Sequence, residues 1–189
     1  MSPGLLDEWR NGWRLRRGTV AYVESLLRDP DADDLASLSA LATGGDEDRA
    51  RWELRYARRA LGVLVAQRDA LDDRTGSEVA RELGAAIHND RHVATDMVKV
   101  AERQFNDRLS AFRDVLTTRR PDEGTGSRLG RVLLRVAGFA GDPGEDAVQR
   151  AGEILVRYLG DANDALRKAF GTASLPDDVP PSAVRSGKP

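Results

Sequence analysis

From Asp46 to Asp72 the apolar side chains Trp52, Leu54, Tyr56, Leu61, Val63, Leu64, Val65 and Leu71 are spread so that, at about 100° per residue, they cover most of a helix circumference. Only a narrow strip of Arg51, Arg55, Arg58 and Gly62 interrupts them. A helix with so little polar surface needs neighbours on nearly every side, so helix 46–72 is predicted to be central.

The remaining segments fit around it. Helix one follows Ser2 and Pro3 and carries Leu6, Trp9, Trp13, Val20, Val23 and Leu27 at a three/four spacing, stopping before Asp29 and Pro30. A short helix around Leu35, Leu38 and Leu41 is closed by Gly44 and Gly45. Thr75 with Glu78 reads as a capping box for a short helix through Val79, Leu83 and Ile87. A long helix five, capped by Thr95 or Asp96, shows Val98, Ala101, Phe105, Leu109, Phe112 and Leu116 and ends before Pro121. Ser127 opens a shorter helix with Leu129, Val132, Leu133 and Val136, and Asp142, Pro143, Gly144 and Glu145 open the last, which Gly171 stops.

No stretch alternates in the manner of a half-buried strand. The fold class is therefore all-α, a helical bundle of four long helices (one, three, five and seven) with three shorter connecting helices. Residues 1–171 read as a single helical domain, long enough to bury its own core. Residues 172–189, with Pro176, Pro180, Pro181 and Pro189, read as a disordered or draped tail. A shift of fifty residues places Thr75, Gly76 and Ser77 on Thr125, Gly126 and Ser127, and Asp96, Val98, Ala101, Leu109 and Leu116 on Asp146, Val148, Ala151, Leu159 and Leu166. Two heptad-like helices align this well by chance, so a duplication is the lesser reading.

Composition narrows the chemistry. The chain has no cysteine, which excludes disulfides, thiolate metal sites and cysteine nucleophiles. Charged residues are 32% of the chain but cancel to a net -2, leaving no global field to gather nucleic acid or anionic membrane. The N-terminal MSPGLLDEWRNGW lacks a basic region followed by an apolar run, and Ala60 to Ala66 is too short to span a bilayer, so a cytoplasmic location without membrane insertion is expected. His88 and His92 fall in an expected turn with no carboxylate at ligand spacing, and the run from Asp29 to Asp34 lacks the glycine and closing glutamate of a calcium loop. With no phosphate loop, dinucleotide fingerprint or nucleophile elbow, neither a metal nor another cofactor is expected, and the balance leans away from an enzyme.

Two sets of residues could carry a function. Arg16, Glu53, Arg68 and Arg108, with Gln67, occupy positions that the apolar pattern assigns to the interior. They form either an ion-pair network such as Arg16 with Glu53, or a pocket gripping a small anionic ligand. The second set is exposed: Arg10, Arg14 and Arg17 on helix one, and Arg51, Arg55 and Arg58 along the strip of helix three. Such stripes can bind phosphates, yet flanking acidic residues and the absence of aromatics interleaved on the strip of helix three favour a solvated face or a protein contact. Trp9, Trp13 and Trp52 read first as core aromatics, although a loosely docked helix one would turn Trp9 and Trp13 into an adhesive surface.

The leading expectation is a non-catalytic interaction or scaffold protein working through protein–protein contacts, with a protein partner or a second copy. The alternatives are a binder of, or enzyme acting on, a small anionic ligand in an arginine-containing pocket, and a nucleic-acid-associated protein using the arginine strips.

Overall fold

The computed structural model describes residues 3–70 and 73–171. The expectations for Leu71, Asp72, the side chain of Leu6 and the 172–189 tail lie outside the described residues. The described chain is all-α: α1 (Pro3–Leu26), α2 (Ala32–Leu38), α3 (Glu47–Asp69), α4 (Asp73–His88), α5 (Val98–Thr117), α6 (Thr125–Ala137) and α7 (Glu145–Phe170), with no strand among the described residues. None of these helices is long and apolar enough to cross a membrane.

Local chemistry accounts for the boundaries. Asp31 opens α2 in extended backbone, and Asp33 and Asp34 set two carboxylates in its first turn, where the helix dipole favours them. The helix runs into one π-helical turn (Ser39–Thr43), which left-handed Gly44 and Gly45, at φ 64° and 92°, then terminate. Asp46 caps α3 by accepting the Arg49 amide at 3.0 Å. α4 departs from expectation: it begins at Asp73, so Thr75 lies buried inside the first turn and is not a cap. Its first turn packs on the end of α3, with the Cβ position of Gly76 only 3.4 Å from the Gln67 Cα.

α3 packs against all six other helices. It buries Leu54, Tyr56, Ala57, Ala60, Leu61, Val63, Val65 and Ala66 within a core to which every helix contributes. The central position predicted from its apolar circumference follows from these contacts.

The most extensive pairing joins α6 to α7. A Cβ at Gly152 would come within 2.5 Å of the Gly126 carbonyl oxygen, and one at Gly130 within 2.8 Å of the Gly152 amide nitrogen, so the two backbones touch. Fifty residues earlier the corresponding positions are Ala80 and Glu102. The α4–α5 pair has no such close crossing available to it, and the sequence offset does not extend to the way the helices pack.

Helix one corrects the sequence reading. Its expected core stripe splits, with Val23 buried and Leu27 half-buried but Trp9 70%, Trp13 54% and Val20 40% exposed. The core-facing side is instead Gly18, Thr19, Tyr22, Val23 and Leu26. That set also recurs at three/four spacing, so periodicity alone supports both faces. Packing chooses between them: Gly18 admits the ring of Phe170 from α7, Tyr22 donates its hydroxyl to the Gly62 carbonyl at 2.8 Å, and Leu26 fills the space above Gly62.

Candidate functional site

The interior charges predicted from the sequence do not converge. Glu53 and Arg108 meet in a two-donor ion pair, Nε to Oε2 at 3.0 Å and Nη2 to Oε1 at 2.5 Å, with side chains 8% and 15% exposed. Arg16 lies on the exposed side of α1, so the expected Arg16–Glu53 pair is absent. Arg68 and Gln67 are exposed where α3 emerges from the core, and Arg68 pairs with its neighbour Asp69 at 2.7 and 2.6 Å. The four residues thus occupy three separate places. The Glu53–Arg108 pair is closed upon itself.

The strip on α3 is also not open, because the connection between α1 and α2 lies over it. Arg55, 8% exposed, places Nε and Nη2 on Asp29 Oδ1 at 2.9 and 2.6 Å. Arg58 donates to the Arg28 and Asp29 carbonyls at 3.3 and 3.0 Å, with its guanidinium 4.3 Å from the centre of the Tyr158 ring. Arg51 is half-buried. The Arg55 hydrogen bond holds the Asp29 carboxyl below the usual carboxylate range against a smaller opposing effect of burial.

Two further pairs escaped the sequence reading. Arg59, 4% exposed, donates to Asp90 Oδ2 at 3.0 Å and ties α3 to the turn after α4. Burial pushes the Asp90 carboxyl up, but the His92 amide and Arg59 outweigh it and hold the carboxyl low. Arg157 of α7 pairs with buried Asp34 of α2, and the buried Tyr158 hydroxyl lies close to the same carboxylate. Arg59 carries a signal in the sequence, since it falls between Tyr56 and Val63 on the apolar arc. Asp34 was not, because its acidic run already had a sufficient explanation as a helix start.

The histidines are apart in role. His88 ends α4 with Nδ1 3.0 Å from Glu102 Oε1, while the backbone of His92 donates to Asp90. No group of three or more metal-ligating side chains occurs among the described residues. A groove of about 430 Å³ between α2 and α7 is lined by Asp31, Asp33, Asp34, Ser37, Arg150, Glu153, Ile154 and Arg157, a lining with more carboxylates than guanidiniums.

The outer face of α1 is different in kind. Among the described side chains from Trp9 to Arg17 none is buried. Trp9, Trp13 and Val20 lie four and seven residues apart, hence within a narrow sector of the helix surface, roughly opposite the side that carries Tyr22 and Leu26. Arg17 stacks its guanidinium 5.4 Å from the Trp13 ring, and Arg10, Arg14 and Arg16 are exposed around the stripe. Trp52, by contrast, is half-buried, 5.6 Å from Tyr56 and capped by Arg55.

Two large indoles in water, flanked by cationic side chains, form a surface able to bury aromatic area and satisfy negative charge together. No protein-family model, no curated protein and no solved structure matches this chain.

Proposed function

We propose that this chain is a non-catalytic interaction protein that docks a protein partner through the outer face of α1. The observation that carries the reading is the exposure of Trp9 and Trp13, 70% and 54%, on one face of a helix whose other face is anchored in the core. Buried tryptophan and arginine are the residues that most often dominate binding energy at protein interfaces, and here they are presented on a rigid scaffold. The interior ion pairs fit a structural role in the same reading, because each joins two separate parts of the chain: α3 to α5, α3 to the turn after α4, and α2 to α7. A cytoplasmic location belongs to this proposal and agrees with a cysteine-free sequence.

A photo-crosslinking side chain placed at Val20, in the full chain expressed in its native cells, tests the reading. One defined protein should be captured, and capture should be lost in Trp9→Ala/Trp13→Ala but kept in Val156→Ala, a control at an exposed apolar site on α7. Capture of the same proteins by all three, or no capture, would overturn it.

A further inference from the structure

The partner's chemistry can be taken further, on the basis that the outer face of α1 is a docking surface. Trp13, Val20 and Leu27 recur every seven residues, and Trp9, Arg16 and Val23 form a second seven-residue series four places ahead of the first. Two such interleaved series are the a and d positions of a coiled-coil seam. At its C-terminal end this seam sinks into the protein's own core, with Val23 buried and Leu27 half-buried; from Val20 back to Trp9 it runs exposed. The exposed part is Trp9, Trp13, Arg16 and Val20, about three helical turns.

We infer that the occupant of this seam is an acidic amphipathic helix of a partner protein, with apolar residues against Trp9, Trp13 and Val20 and carboxylates facing Arg16 and the flanking Arg17. Charge decides the occupant. Between Trp9 and Val23 the sequence has four arginines and no acidic residue. A parallel second copy would set Arg16 against Arg16 inside the seam. An antiparallel copy centred on the exposed stretch pairs Trp9 with Val20 but brings Trp13 to Arg16 and sets Arg10 against Arg17 along the flank, gathering like charge again. A lipid surface would take Arg16 into the apolar layer between the indoles, where a cation is disfavoured. A carboxylate-bearing helix instead meets each guanidinium with an acceptor suited to its forked donors.

The test uses the full chain and two synthetic helical peptides of about three heptads, both with leucine at a and d, one with glutamate and the other with lysine at e and g. Peptide anisotropy and tryptophan emission report binding, while sedimentation of the protein alone and with phosphatidylserine vesicles covers the other occupants. The glutamate peptide should bind with a blue shift of tryptophan emission and a strong loss of affinity in high salt. Trp13→Ala should weaken it at least about tenfold, and Arg16→Glu/Arg17→Glu should reverse the preference toward the lysine peptide, with unchanged circular dichroism in both variants. Equal binding of the two peptides, binding of neither, or self-association or vesicle binding abolished by Trp13→Ala would overturn the inference. If Val20 cross-links to a partner whose contacting segment is neutral or basic, the docking reading stands and this one falls; if Val20 cross-links to nothing, the docking reading itself falls.

Discussion

Arg59 and Asp90 are the most deeply placed ion pair with both side chains nearly inaccessible, at 4% and 9%. Removing Asp90 strands a guanidinium among apolar neighbours, so Asp90→Ala should lower unfolding free energy by about 3–5 kcal/mol in urea titration. The double variant Arg59→Met/Asp90→Ala should recover part of that loss, because an apolar side chain no longer has a charge to solvate. A pH effect follows from the same residues. Asp29 and Asp90 have carboxyls held below their unfolded values, so each contributes stability that is full above about pH 4 and is lost as the pH falls through the lower folded value. Urea midpoints should therefore drop more steeply below about pH 4 for the wild type than for Asp29→Asn/Asp90→Asn; parallel profiles would contradict it. At this scale the interruption of apolar arcs pointed inward for Glu53 and Arg108, but equally for Arg16, Gln67 and Arg68, which are exposed, so the pattern marked candidates without separating them. It did not disclose that Glu53 and Arg108 face each other, since they are separated by 55 positions in the chain.

Among the elements, α6 and α7 depend on two glycines in a way that their periodicity does not reveal. A methyl group at Gly130 meets the Val148 carbonyl, and one at Gly152 meets that of Gly126, so backbone and not a mobile side chain must yield. Gly130→Ala and Gly152→Ala should each destabilise by about 2–3 kcal/mol, more than the small gain that alanine brings to an isolated helix. Gly160 of α7, with open space around its Cβ position, is the control: Gly160→Ala should be neutral or stabilising. Thermal unfolding of the three variants side by side checks the order. Helix existence and rough limits were legible from caps, glycines and prolines. The start of α4 was not, because Thr75, which reads as a cap in the sequence, lies buried inside the first turn against the end of α3.

Taken whole, the molecule buries one face of α1 and leaves the other bare. Replacing Trp9 and Trp13 by alanine should therefore change global stability by no more than about 0.5 kcal/mol each, in contrast to the several kcal/mol that a core tryptophan would cost. Iodide should quench most of the tryptophan emission in the wild type, aided by the surrounding arginines, and far less in Trp9→Ala/Trp13→Ala, where half-buried Trp52 alone remains. An unfolding midpoint that falls sharply in the double variant would show that these indoles are packed.

Hydrophobic period and punctuation by themselves determined the all-α class, the seven helices and the central place of the third, because all three depend on local backbone geometry and on how much apolar surface one segment carries. Tertiary structure alone decided which of two equally periodic faces of α1 meets the core, and which cation meets which carboxylate. Those choices rest on contacts between residues tens of positions apart: the fit of Phe170 over Gly18, the Tyr22 hydroxyl on Gly62, and Asp29 laid across Arg55.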